Sequence, residues 1–335
     1  MKIAILSSIA WRTPPRKYGP WEQVSSNIAE GLVERGNDVT LFASGDSITN
    51  GELESACELP YAEHPEIDPK VAECLHISHI MEKADQFDII HNNFDFLPLT
   101  YSRLIRTPMV TTIHGFSSPK IIPVYKKYNN TGYYVSISYS DRSPELSYTA
   151  TVYNGINTSK FSFNAESGET LLFFGRIHPE KGVSEAIEIA KKSNRKLIIS
   201  GLIQDQEYFD NRVNPYIDGQ EIMYVGNSGP EDRNKLLGGA FALLHPISFE
   251  EPFGLSVVEA MICGTPVIAF NRGSMPELIV NGKTGFLVNH VEEAVEAVNS
   301  VEFINRRDCT EWASSNFSMQ KMVDGYLEVY KKILR

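Results

Sequence analysis

At 335 residues, with 42% hydrophobic and 22% charged side chains, the chain is too long for one ordinary domain and ordinary in composition for a globular protein. Its net charge of -11 is spread evenly, with 13 Lys and Arg against 18 Asp and Glu in residues 1–155, and 18 against 24 in 156–335. Such even acidity repels nucleic acid and anionic lipid over most of the surface, so an anionic ligand must be captured by a local pocket.

The opening MKIAILSS reads as a first strand and not as a signal peptide, because Arg12 and a Pro pair follow with no cleavage-site pattern. A helix is predicted over 22–35, where Val24, Ile28, Ala29, Leu32 and Val33 form one apolar stripe and Gly36 can stop it. Further β-rich runs stand at DVTLFA (38–43), DIIHN (88–92), MVTTIH (109–114) and YYVSIS (133–138). NGINTSKFSFNAESGE, Asn154–Glu169, is polar and turn-rich and marks a boundary. A second series follows: TLLFFG (170–175), KLIISG (196–201), IMYVG (222–226), FALLHP (241–246) and PVIAF (266–270). Near-continuous apolar strands separated by helices predict parallel sheets covered on both faces. The fold class is therefore α/β, with two doubly wound, Rossmann-like domains over 1–155 and 156–316. A last helix over 317–334 carries Phe317, Met322, Tyr326, Val329, Tyr330 and Ile333 as an interrupted stripe. No run reaches the length of a membrane span. The cysteines Cys57, Cys74, Cys263 and Cys309 have no CxxC spacing, which suits a reducing compartment and predicts a cytoplasmic protein.

Doubly wound sheets bind ligands outside the carboxyl ends of their strands, which for two facing sheets predicts a site in the cleft between them. The first strand runs into SSIAWRTPPRKYGPWE, which lacks GxGxxG spacing and disfavours a nicotinamide dehydrogenase. The first strand of the second series exits into Gly175-Arg176-Ile177-His178-Pro179-Glu180-Lys181-Gly182, just before a helix. Two cations beside free helix N–H groups suit a phosphate; a solvated basic loop is the plainer reading. His178, beside Lys181, is a further candidate for phosphate.

The stretch EEPFGLSVVEAMICGTPV places Glu251 in a loop and Glu259 one turn into a helix predicted from about Leu255 to Cys263. Gly254 lets the backbone approach a ligand, and the N–H groups of Phe253, Gly254 and Leu255 are unpaired donors that suit a diphosphate. Flanking carboxylates accept hydroxyl protons. Hydroxyls at both ends of a diphosphate describe a nucleotide sugar, with Glu259 on the ribose and Glu251 on the sugar. The same acids would also serve as one dipole-stabilising and one solvent-facing side chain. In the loop from Ser7 to Glu22, the aromatic Trp11, Tyr18 and Trp21 can stack on sugar rings, while Arg12, Arg16 and Lys17 suit an anionic acceptor. A lid whose aromatics merely pack accounts for them equally well.

Together these motifs resemble the retaining glycosyltransferases of family four (group 1), whose GT-B fold sets two Rossmann-like domains face to face. The resemblance runs over nearly the whole chain: GPWEQV…LVERGNDVTLF, TIHG (112–115), NGI (154–156), GR…KG, Glu-x7-Glu, GSMPE (273–277) and NGKTGFLV (281–288). The chain departs from it at Gly19-Pro20, where the family often has Gly-Gly, and at Tyr153-Asn154-Gly155-Ile156-Asn157, where it often has Pro-Asn-Gly-Val-Asp. The resemblance implies catalysis by His114, Glu251, Arg176 and Lys181, with His114 facing the donor sugar and His91 structural or behind it. It implies donor binding by Arg176, Lys181, Glu251, Phe253, Gly254, Leu255, Glu259 and Gly19, with Trp11, Tyr18 and Trp21 on the acceptor side. It also implies no protein-bound metal, no cofactor beyond the nucleotide sugar substrate, and a last helix, about 317–335, that returns to the first domain. UDP-hexose is the expected donor, with GDP-mannose the alternative; the expected acceptor is a saccharide or glycoconjugate. An epimerase of the same fold and a catalytically silent nucleotide-sugar-binding subunit remain as rivals. A phosphorylase ranks last, for want of a pyridoxal-binding lysine region and a longer chain.

Overall fold

Strands covered on both faces need no polar alternation, and the first sheet is built from such strands. Lys2–Leu6 (β1) and Asp38–Phe42 (β2) expose only their first residue. After a short edge strand, Glu52–Glu54 (β3), the strands Ile89–Asn92 (β4) and Met109–Ile113 (β5) are buried throughout. Tyr133–Ser136 (β6) and the half-buried Tyr148–Thr151 (β7) complete seven strands in the order β3-β2-β1-β4-β5-β6-β7, every pair parallel. Its helices are Pro20–Glu34 (α1), Pro69–Glu82 (α2) and Ile122–Tyr128 (α3). The computed structural model describes residues 1–116 and 118–335, and the chain divides into two units, Met1–Gly155 with Met319–Arg335, and Ile156–Ser318.

The second unit repeats the plan. Leu171–Phe174 (β8), Val183–Lys192 (α4), Leu197–Ser200 (β9), Gln206–Tyr208 (α5) and Ile222–Tyr224 (β10) come first. Pro230–Gly239 (α6), Ala242–His245 (β11), Leu255–Ile262 (α7), Val267–Phe270 (β12) and Met275–Leu278 (α8) follow. Gly285–Val288 (β13), Val291–Val298 (α9) and Arg306–Phe317 (α10) close it. The order is β10-β9-β8-β11-β12-β13, again all parallel. Both sheets are doubly wound, and the strand order reverses between β1 and β4 and between β8 and β11. Val183, Ile187 and Ala190 of α4 and Ala294 and Val298 of α9 pack with Leu171, Phe173 and Ile199 of the sheet. Helix α7 packs against β11, β12 and α10 and is buried from Val257 to Ile262, as its almost uninterrupted apolar sequence demands.

The strands expected from the sequence are all present, most of them trimmed by one or two residues. Three were not expected: β3, β7 and β13. The last helix differs at its start. Phe317 ends α10 and packs against Phe253 and Trp312, at 5.9 and 6.4 Å between ring centroids. Ser318 is extended (φ -74°, ψ 153°), and the final helix, Met319–Ile333 (α11), starts one residue later.

Helix α11 packs against α1 and reaches into the first sheet with two tyrosines. Tyr330 Oη lies 2.6 Å from His91 Nδ1, His91 Nε2 lies 2.7 Å from Thr112 Oγ1, and Tyr326 Oη lies 2.9 Å from Thr112 Oγ1. All four are buried. Burial, with a smaller push from His114, lowers the His91 pKa to about 3, so the ring is neutral and one nitrogen donates while the other accepts. Tyr330→Phe leaves that ring nitrogen without its partner. The expected cost is about 1–3 kcal/mol, measured by urea denaturation against wild type. No helix of the described residues is long and apolar enough to cross a membrane.

Candidate functional site

At the reversal between β8 and β11, the loops leaving those two strands carry the charged motifs. The loop after β8 bears Arg176 and Lys181 and ends at Gly182, the residue before α4. The loop after β11 bears Glu250, Glu251 and Gly254 and leads into α7. The two loops are docked backbone to backbone. Ser248 N–H donates to Glu180 O at 2.9 Å, and Gly182 lies so close to Pro246 that a Cβ would sit 2.0 Å from its carbonyl oxygen. Gly182 also has φ 77°, in the left-handed region. Gly182→Ala is therefore expected to cost about 2 kcal/mol or more, from backbone strain and from parting the loops. A thermal melt reads it.

This docking brings Lys181 and Glu251 together. Lys181 Nζ lies 2.5 Å from Glu251 Oε2, and the two side chains are only 14% and 13% exposed, so the pair is poorly screened by water. The ammonium also sits 4.5 Å from the centre of the Phe249 ring. His245, the buried last residue of β11, places Nε2 3.6 Å from Glu251 Oε2. Burial alone would raise the Glu251 carboxyl, but the Lys181 ammonium and His245 outweigh it and hold its pKa at about 2. The GSMPE segment supports the acid from behind. Ser274 N–H donates to Glu251 O at 2.9 Å, and Gly273 N–H to Glu250 Oε2 at 2.5 Å.

Gly254, at φ 93°, turns the chain into α7, whose first-turn N–H groups have no acceptor within the helix. The Phe253 side chain is core, against Phe317, and its carbonyl accepts the Ser274 hydroxyl at 2.6 Å. What this segment offers a ligand is therefore backbone, at Gly254 and Leu255. Glu259 lies one turn further and is buried, with Arg233 Nη1 of α6 3.3 Å from its Oε1. Burial raises the Glu259 pKa, and Arg233 opposes the shift. The Arg233 guanidinium also stands 5.4 Å from the Phe174 ring centre.

The expected residues of the second unit thus fall into separate contacts. Lys181 pairs with Glu251; Arg176 donates instead to Gln204 Oε1 in the loop after β9. His178 Nδ1 accepts the Glu180 N–H at 3.3 Å. Arg233 and His245 escaped the sequence reading. Arg233 carries the same signal as Lys181, a cation at a helix start after a strand exit, and His245 is a strand-end histidine like His114.

In the first unit, His114 follows β5 and stacks on Trp21, with centroids 5.8 Å apart and planes 28° from parallel. Its Nε2 lies 3.0 Å from Asn93 Oδ1, and burial lowers its pKa to about 3. The sequence assigned His114 to the donor sugar and Trp21 to the acceptor; the structure makes them neighbours. Gly19 is buried ahead of α1, wrapped by Pro15, Trp11 and Glu22. Trp11 N–H donates to the buried Glu22 carboxylate at 3.2 Å, and the Trp11 and Tyr18 rings meet edge to face at 5.9 Å. Arg16, a candidate cation for the acceptor, pairs with Asp46 at 3.1 Å and Glu63 at 2.8 Å.

The family described as Glycosyl transferases group 1 matches residues 156–314, and the family described as Glycosyltransferase Family 4 matches residues 22–160. The chain is 25% identical over 336 residues to an uncharacterised glycosyltransferase of Methanocaldococcus jannaschii, covering 86% of this chain and 85% of that protein. It is 25% identical over 334 residues to the glycogen synthase of Mycobacterium tuberculosis, covering 83% and 80%. Its fold is similar to that of Anabaena Alr3699/HepE, whose crystal structure holds UDP and glucose: the TM-score is 0.76 at 19% identity, over 99% of this chain and 100% of that one.

Proposed function

The chain belongs to the group 1, family four glycosyltransferases and has their GT-B fold, and from that premise we propose that it moves a hexosyl unit from a nucleotide diphosphate, UDP-hexose first, to a hydroxyl of a saccharide or glycoconjugate with retention. The observation that carries the donor reading is the largely buried Lys181–Glu251 pair, 2.5 Å long, on docked loops at the strand-order reversal and just ahead of the first turn of α7. A diphosphate takes the N–H groups of Gly254 and Leu255, the Lys181 ammonium and the Arg176 guanidinium. Glu251 accepts hydroxyl protons of the sugar, and Glu259, steadied by Arg233, those of the ribose. The UDP bound by the Anabaena protein favours uridine as the base.

In the reaction, the bond from the anomeric carbon to the diphosphate oxygen breaks as the bond to the acceptor oxygen forms on the same face. The acceptor proton passes to the departing diphosphate, and no side chain becomes covalently attached. Lys181, Arg176 and the loop amides stabilise the charge that develops on the leaving group. His114 is neutral at neutral pH. With its Nε2–H given to Asn93, its Nδ1 is an acceptor for a sugar hydroxyl.

The test is incubation with UDP-, GDP- and ADP-sugars and a panel of saccharide acceptors, with products read by mass and anomeric configuration by NMR. Transfer from a UDP-hexose with retention is expected. Absence of transfer, hydrolysis and binding with every nucleotide sugar overturns the reading. An inverted product removes retention alone, and a changed sugar released without any acceptor identifies an epimerase.

A further inference from the structure

His245 helps to lower the Glu251 pKa but meets no part of the donor in the function given above. It is buried at the end of β11, and among the described residues its Nε2 has no hydrogen-bond partner. Buried polar atoms in native proteins are nearly always satisfied, so one that is not has a reason to be where it is. This one lies 3.6 Å from Glu251 Oε2, beyond hydrogen-bond range, while the same oxygen holds Lys181 Nζ at 2.5 Å.

Resting on the function given above, we propose that His245 is a positioning residue, the second holder of the Glu251 carboxylate. A diphosphate carries more negative charge than a single carboxylate and competes with Glu251 for the Lys181 ammonium. A Glu251 that lost its cation with nothing in exchange would be a largely buried, unpaired charge, which is unfavourable. His245 supplies the exchange. A closure of about 0.7 Å brings Nε2–H, with 3.6 Å as the starting separation, into charge-assisted hydrogen-bond range of Oε2. Lys181 is then free to turn to the phosphate while Glu251 keeps one orientation, with Oε1 left for the sugar. His245 itself touches no substrate.

Two variants separate this role from simple packing. His245→Phe keeps a ring in the core and removes the donor, whereas His245→Gln keeps an N–H at a similar reach. The Phe variant is expected to lower kcat roughly tenfold, leave UDP affinity in calorimetry within about twofold, and be largely rescued in the Gln variant. Wild-type turnover in the Phe variant, or equal losses in both, overturns the proposal. A second readout needs no activity. In a Lys181→Ala background His245 is what remains to hold the buried carboxylate, so His245→Phe should lower Tm by about 2–4 °C more there than in the wild-type background. Additive Tm losses overturn the proposal whatever the chain turns over. Non-additive losses in a protein that turns over no nucleotide sugar uphold the His245–Glu251 contact and remove the function instead.

Discussion

Lys181→Ala is expected to lower kcat/KM for the nucleotide sugar roughly tenfold or more, because a charge-assisted contact to the leaving diphosphate is worth on the order of 1.5–3 kcal/mol. Arg176→Ala should lose a similar factor, and near-wild-type kinetics in both would remove them from the donor site. Lys181→Ala has a second expected effect, on stability. It strips a largely buried carboxylate of its cation, and breaking such a pair from one side costs about 3 kcal/mol. The pH dependence has a definite sign. Glu251 is held at about 2 against an ordinary 4.5, so the pair's contribution is fully present above the unfolded value and disappears as pH falls through the folded one. The stability gap between wild type and Lys181→Ala should therefore be widest at neutral pH, narrow between about 4.5 and 2, and vanish below. Urea denaturation over that range measures it; a gap that widens on acidification would show that the ion pair is not its source.

The two acids of the Glu-x7-Glu element should fail differently. On the proposed assignment, Glu259→Gln weakens the hold on a part common to donor and product, and it also loosens Arg233, whose guanidinium lies 3.3 Å from the carboxylate. UDP affinity should fall about tenfold, with turnover falling alongside. On the proposed assignment, Glu251→Gln perturbs the sugar end and also leaves Lys181 with no carboxylate opposite it. Turnover should fall sharply while UDP binds as tightly as before or more tightly, since the ammonium no longer has to leave an ionic partner. Calorimetry with UDP on both variants decides between the ends of the ligand. Equal loss of UDP affinity in the two, or a loss confined to Glu251→Gln, would mean the acids are assigned the wrong way round.

The fold was legible because its signals are strong ones. Strands buried on both faces, such as KIAIL, LLFF and VIAF, leave near-continuous apolar runs without the spacing of an amphipathic helix. The strands that escaped are short or marginal. β3 is three residues with two glutamates, β7 is half-buried and polar, and β13 begins at a glycine just after a turn. Candidate residues were singled out where chemistry and spacing coincide, as at Lys181, Glu251 and Glu259. Their partners were not. Arg233 is 26 positions from Glu259, and nothing in the spacing pairs them. His245 reads as one more residue of a buried strand until its distance to Glu251 is known. Aromatic residues show the opposite limit: Trp21 and Phe253 were read for their sugar-binding or loop chemistry, and tertiary packing gave one of them a histidine to stack on and the other a place in the core.

The return of α11 to the first sheet has a consequence for the order in which the chain can be made. Residues 156–318 form a unit that is continuous in sequence, whereas the first unit needs Met319–Arg335 as well as 1–155. During synthesis the stretch made earliest therefore cannot be finished earliest. His91 and Thr112 wait for Tyr330 and Tyr326, residues more than two hundred positions downstream, while the second unit emerges and closes on itself. Until then His91 lacks the hydroxyl that meets its Nδ1, and Gly31 of α1 lacks the Val323 side chain that packs on it.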